Sequence, residues 1–158
     1  MEREELLRVL RAFESEGLEY VLIGATAMGI QGLVRATEDV DLLIRATPEN
    51  VERMRRAFRA AYDNDPCIDE IRTLDLLGEY PAVRYYPPSG DLYFDVITRL
   101  GEAASFENVE SERKDVEGIG VRVATPAALY RLKKDTVRPV DRMDAAALRE
   151  RFGLDEGN

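Results

Sequence analysis

Two apolar, strand-length runs joined through a glycine turn constrain this chain most, because the second run opens with two carboxylates. Tyr20-Val21-Leu22-Ile23 leads straight into Gly24-Ala25, and after a 13-residue spacer (26 to 38) comes Asp39-Val40-Asp41, followed by Leu42-Leu43-Ile44. The pattern predicts a buried strand, a tight turn, a short helix over residues 25–30 and a second strand over residues 39–44. Side chains at i and i+2 of a strand share a face, roughly 6.5–7 Å apart along the chain. Asp39, Asp41 and Leu43 therefore project from one face, and Val40, Leu42 and Ile44 from the other. Aspartate is disfavoured in strands, and like charges on one face repel. Such a pair belongs either at a solvated strand end or beside a cation.

The rest of the chain supplies helices and strands to pack around this unit. Residues 2–17 place Leu6, Leu7, Leu10 and Phe13 on one helical stripe, with a Glu4/Arg8 pair outside it and Gly17 as a stop. Thr47-Pro48 is an N-cap followed by proline at the first helical position, and the helix it opens runs to about residue 62. Val51, Met54, Phe58 and Ala61 form its core face. Residues 63–80 are acidic and irregular, with a short helix expected around residues 71–77. Residues 82–86 and 92–98 read as two strands joined by the turn Pro87-Pro88-Ser89-Gly90, and residues 111–124 as a hairpin turning at Glu117-Gly118. Thr125-Pro126 repeats the capping signature and opens a helix to about residue 136, followed by a last helix over residues 139–152 and a polar tail.

Composition narrows the chemistry. The 158 residues suit one domain with a real core, and the longest apolar runs are strand-sized, so no membrane span is expected. The charged start, Met1 to Glu5, leads into an amphipathic pattern rather than a secretory signal. Cys67 is the sole cysteine, which excludes an internal disulfide, suits a cytoplasmic setting and reads most simply as an incidental thiol. Histidine is absent, so no histidine relay or imidazole zinc site exists. Acid–base work falls to Asp, Glu, Lys or Tyr, and a metal would be held by carboxylates, favouring Mg²⁺ or Mn²⁺. The net charge of −9 is uneven: residues 63–120 carry 14 acidic against 5 basic side chains, and residues 125–151 carry 7 basic against 4 acidic. That field disfavours a general polyanion binder but leaves a local basic patch near the C-terminus.

Asp95 completes a constellation. It interrupts the apolar strand Leu92-Tyr93-Phe94-Asp95-Val96-Ile97, and a carboxylate in a central strand needs a partner or a metal. With Asp39 and Asp41 it makes a three-carboxylate set from two strands, of the kind that holds two Mg²⁺ ions roughly 3.5–4 Å apart and supports in-line displacement at phosphorus. Asp91, at a turn, reads better as surface. A phosphatase Asp-x-Asp-x-Thr motif is excluded by Leu43, and a glycosyltransferase Asp-x-Asp motif belongs to longer chains. The turn Gly24-Ala25-Thr26 offers backbone N–H groups to a phosphate at a helix start, although a glycine there is more often structural. Arg35 and Thr37 could contact phosphates or fix the loop. Arg53, Arg55, Arg56 and Arg59 read as a solvated helix face. Lys133 and Lys134, with Arg138, Asp141 and Asp144, could place a cation over a triphosphate, or be plain helix surface.

Together Ile23-Gly24-Ala25, the spacer, Asp39-Val40-Asp41-Leu42 and the later Asp95 resemble the DNA polymerase β-type nucleotidyltransferase superfamily. Arg35-Ala36-Thr37-Glu38-Asp39-Val40-Asp41-Leu42 and the Lys133, Arg138, Asp141, Asp144 pattern look most like its minimal AbiEii-type group, which includes toxins of toxin–antitoxin systems. The resemblance covers about residues 18–150. It implies an α/β (α+β) fold in one domain, 1–158: a mixed nucleotidyltransferase-type sheet flanked by helices, with C-terminal helices over about 125–152. It also implies transfer of a nucleoside monophosphate from an NTP such as ATP to a hydroxyl of a tRNA end, a protein or a small molecule, with Mg²⁺ or Mn²⁺ as cofactor and a cognate antitoxin as partner. Asp39, Asp41 and Asp95 would hold the metals, with Asp95 helping to deprotonate the acceptor. Gly24, Ala25, Thr26, Arg35, Thr37 and Lys133 would contact the nucleotide. The chain departs from the family turn, Gly-Gly or Gly-Ser, in having Gly24-Ala25, with the Thr26 hydroxyl one residue later. An alternative is a non-catalytic nucleotide-binding or protein-interaction module with the same fold.

Overall fold

A computed structural model describes residues 2–33, 38–78, 81–100, 104–133 and 139–154. The chain begins with α1 (Glu2–Glu16), β1 (Tyr20–Ile23), α2 (Gly24–Ile30), β2 (Asp39–Ile44) and α3 (Pro48–Ala61). A 3₁₀ turn (Pro66–Glu70) and α4 (Thr73–Leu77) lead to β3 (Ala82–Tyr85) and β4 (Tyr93–Ile97). A small two-stranded pair, β5 (Arg99–Leu100) and β6 (Ala104–Ser105), precedes the hairpin of β7 (Ser111–Val116) and β8 (Ile119–Ala124). Helices α5 (Pro126–Lys133) and α6 (Pro139–Phe152) close it. The elements expected from sequence are present among the described residues: β3 ends one residue early, β4 is one residue shorter at each end, and α4 starts two residues later than expected. The last turn expected for α5, residues 134–136, lies outside the described residues. The 3₁₀ turn and the β5–β6 pair were not anticipated. The fold is mixed α/β.

Among the described residues six strands form one sheet in the order β3-β4-β2-β1-β8-β7. The β2–β4 and β1–β8 pairs are parallel, and the other neighbours are antiparallel. The alternation of each strand divides the sheet into two unlike faces. Tyr20, Leu22, Val40, Leu42, Ile44, Phe94, Val96 and Val121 turn inward to the core, where all are buried. Helices α1 and α3 pack over it through Phe13 and Phe58, whose rings lie 5.8 Å apart edge to face; Phe58 also meets Phe94 at 5.0 Å. Aromatic pairs of this geometry add about 0.5–1.5 kcal/mol beyond their burial.

Two local devices fix the frame. At the β7–β8 turn, Glu117 and Gly118 both have positive φ, +50° and +84°, which is the backbone a two-residue hairpin with right-handed strand twist requires. At the start of α3 the Thr47 side chain accepts from Asn50 N–H at 3.2 Å, with Pro48 in the first position. Asn50 itself is fully buried. Its Oδ1 accepts from Glu19 N–H at 2.9 Å, and its Nδ2 donates to the Glu19 and Arg45 carbonyls at 2.9 and 3.0 Å. One side chain thereby ties the start of β1, the end of β2 and α3 together.

Removing it leaves a buried N–H and two carbonyls without that partner, at about 1–3 kcal/mol for an unsatisfied group. Asn50→Ala is therefore expected to lose about 2–3 kcal/mol of stability, read as a lower urea midpoint at unchanged slope. A midpoint equal to wild type would refute this role.

Candidate active site

The core-facing pattern of β2 and β4 leaves Asp39, Asp41 and Asp95 on the opposite face. In the parallel pairing Asp41 sits directly beside Asp95, and Asp39 beside Tyr93. One oxygen of each carboxylate lies within 4.8 Å of the others, all three half-buried. Hard oxygen donors this close are a set able to hold a divalent cation.

Electrostatics show the cost of that closeness. Asp41 is pushed up to about 8, by burial first and then by the charge of Asp39 and Asp95. Burial and the hydrogen bond and charge of Asp95 also raise Asp39. Asp95 moves the other way: burial pushes it up, but the Arg84 guanidinium outweighs this and holds it below the usual carboxylate range. Arg84 Nε donates to Asp95 Oδ1 at 2.6 Å and Nη2 to Oδ2 at 3.2 Å, a two-pronged contact across the β3–β4 pair. Sequence reading missed Arg84. Its signal was the alternation Val83-Arg84-Tyr85, which puts the arginine on the carboxylate face once β3 pairs with β4. The cluster opens onto a cavity of about 460 Å³, lined by Ile23, Ala82, Val83, Ile97 and Leu100 beside Asp41, Asp95 and Arg84.

Gly24 is the first residue of α2 and has φ +71°. A Cβ there would overlap Asp41 Oδ2, so the backbone at the α2 start touches the cluster in a way only glycine permits. No side chain caps that first turn. The Thr26 hydroxyl donates to the Asp39 carbonyl at 3.4 Å, fastening α2 to the start of β2. Ala25 and Thr26 also border a second cavity of about 480 Å³, shared with Leu6, Leu7 and Val40. Asp91 is exposed; its backbone N–H donates to buried Glu5 at 2.7 Å. Lys133 Nζ lies 3.0 Å from Asp144 Oδ2, both largely buried, linking α5 to α6. Arg35, Thr37, Lys134 and Arg138, and the Asp141 side chain, lie outside the described residues.

Comparison of the whole chain with solved structures bears on the fold. It superposes on an antigenic nucleotidyltransferase-like protein from Paracoccidioides brasiliensis with a TM-score of 0.56 and 14% identity, over 92% of this chain and 75% of that one. The fold is nucleotidyltransferase-like. The solution structure of the antibiotic-resistance factor ANT(2'')-Ia matches at a TM-score of 0.48 and 18% identity, over 95% of this chain and 92% of that one. No protein-family model matches the sequence, and no curated protein is detectably similar to it. Among the described residues no helix is long and apolar enough to cross a membrane.

Two outcomes follow from this carboxylate cluster. Asp41 binds its proton more tightly folded than unfolded, where its value is about 3.9, so it withdraws stability as pH rises from there to about 8. Asp41→Asn is expected to raise the melting temperature of the metal-free protein at pH 8 by about 2–4 °C, the shift for about 1 kcal/mol in a chain this size, with no gain at pH 4. Equal gains at both pH values would discount the charge explanation. Gly24→Ala is expected to weaken Mn²⁺ binding at least about tenfold, a change of about 1.4 kcal/mol, because the added methyl displaces Asp41; calorimetry would measure it.

Proposed function

We propose that the protein is a Mg²⁺-dependent nucleotidyltransferase that moves a nucleoside monophosphate from an NTP to an acceptor hydroxyl. The convergence of Asp39, Asp41 and Asp95 beside the uncapped start of α2 carries the reading. The donor set fits a hard divalent cation: oxygen ligands only, and two carboxylates whose mutual repulsion a cation would relieve. Asp39, Asp41 and Asp95 would hold it. When bound, such a cation neutralises charge on the phosphates and lowers the cost of ionising the nucleophile.

The residues of the chain do the rest. Backbone N–H groups of Gly24, Ala25 and Thr26 orient the β- and γ-phosphates against α2, and the helix dipole favours the negative charge there. The acceptor oxygen forms a bond to the α-phosphorus as the bond from that phosphorus to the bridging oxygen breaks, releasing pyrophosphate. Asp95, on the β4 side of the cluster, takes the hydroxyl proton. Lys133 would neutralise charge at the triphosphate by exchanging its contact with Asp144 for a phosphate oxygen. Arg35 and Thr37 complete the nucleotide contacts. The resemblance of residues 35–42 to the AbiEii-type group motivates the finer reading as a toxin with a cognate antitoxin, acting in the cytoplasm.

Incubation with each α-³²P-labelled NTP, Mg²⁺ and fractionated cell extract tests the activity. Wild type should label one fraction, and Asp41→Ala should reduce labelling by about 10²–10³-fold, the scale of losing one electrostatic element of a catalytic site, with an unchanged circular dichroism spectrum. Full labelling by the variant would sink the assignment. A second reading, nucleotide binding without turnover, is favoured by the two-pronged hold of Arg84 on Asp95. Tight Mg-NTP binding by calorimetry with no labelled product would select it.

A further inference from the structure

Beyond the carboxylates, the same face of the sheet carries an aromatic pair. Tyr93 lies two residues before Asp95 on β4 and beside Asp39 across the strands, so the two share a face with their backbones about one strand repeat, roughly 6.5–7 Å, apart. Tyr86, just past the end of β3, stacks on it with ring centroids 5.3 Å apart and planes 26° from parallel. Tyr86 is 62% exposed, unusual for a large ring beside a half-buried cluster. Arg84 links both rings to the site: its guanidinium sits 5.3 Å from the Tyr93 centroid, and Nη1 donates to the Tyr86 hydroxyl at 3.2 Å while Nε holds Asp95.

We propose that Tyr86 and Tyr93 form a stacking platform for a nucleobase of the acceptor substrate, so that the acceptor is a nucleotide or an unpaired nucleic-acid end. This rests on the nucleotidyl-transfer reading above. In-line displacement puts the nucleophile opposite the leaving pyrophosphate. The pyrophosphate side is the α2 flank, next to β1; the opposite flank is β4 and β3, where the tyrosines stand. Exposed, nearly parallel rings bind planar bases by stacking without needing sequence-specific hydrogen bonds. The adjacent guanidinium is paired with Asp95 and also holds the Tyr86 hydroxyl, which fixes the outer ring beside the cluster. Two rings held at the hydroxyl-activating carboxylate thus favour a planar acceptor group.

A trinucleotide RNA ending in 2-aminopurine with a free 3′-hydroxyl is the probe, since stacking quenches its fluorescence. Wild type should quench it, Tyr86→Phe should retain quenching, and Tyr86→Ala should weaken binding about tenfold, the scale of one lost base–aromatic stack. Calorimetry with Mg²⁺ and non-hydrolysable analogues of the four NTPs should give, for each analogue, the same affinity for wild type and both variants. An unquenched probe with wild type, or equal trinucleotide affinity in Tyr86→Ala, would overturn the platform. Weakened analogue binding in Tyr86→Ala with trinucleotide affinity intact would also overturn it, assigning the rings to the donor base. Failure of wild type to bind the analogue of any of the four NTPs would instead overturn the nucleotidyl-transfer reading, which keeps the two failures separate.

Discussion

Three carboxylates on adjacent parallel strands are the constraint around which this molecule is arranged. Strands in a sheet lie about 4.8 Å apart, so Asp41 and Asp95, directly opposite each other, have no room to separate. Asp39, one repeat along β2, closes the group. Moving β2 by one residue would relieve the repulsion, but it would turn Val40, Leu42 and Ile44 out of the core. Those three side chains are fully buried beneath α1 and α3. The hydrophobic face thus holds the charged face in a geometry that electrostatics alone would reject, and burial, with the nearby charges of Asp39 and Asp95 added, pushes Asp41 up to about 8.

Arg84 offsets part of that repulsion from outside the group. Its side chain is half-exposed, while Asp95 is more sheltered. Solvent screens an ion pair of this kind, so it contributes little to stability on its own. Its consequence is instead local and asymmetric. One carboxylate of three is kept ionised, while the other two are pushed toward their protonated forms. Three chemically identical side chains acquire different properties because burial bears on all three and only Asp95 has the Arg84 guanidinium hydrogen-bonded to it across the strand pair.

What was legible in the sequence was local. The strand alternation at residues 39–44, the Thr47-Pro48 cap and the Glu117-Gly118 turn are set by neighbours a few residues away, and each element formed where its residues indicated. Asp95 was recognisable because a charge inside an apolar strand is conspicuous. Arg84 and Tyr86 were not, because their meaning depends on register: only when Arg84 pairs with Asp95 do they join the carboxylate face. Lys133 was placed on a helix, but its buried partner Asp144 belongs to the next helix, a pairing that no local pattern encodes. The 3₁₀ turn at residues 66–70 and the two-residue strands β5 and β6 are too short to carry a period at all.

The turn at Gly24-Ala25 shows how a departure from a family pattern can be absorbed. The resemblance leads one to look for a hydroxyl at position 25, where this chain has a methyl group. The nearest hydroxyl, on Thr26, donates to the Asp39 carbonyl, so it serves the attachment of α2 to β2. A phosphate held at this turn would therefore meet backbone N–H groups, whose directions are set by the left-handed Gly24 and not by any side chain. Its hold would depend on the charge balance of the carboxylate group more than on a hydroxyl contact. The glycine is then the position of consequence, because it sets both the donor directions and the space that Asp41 occupies.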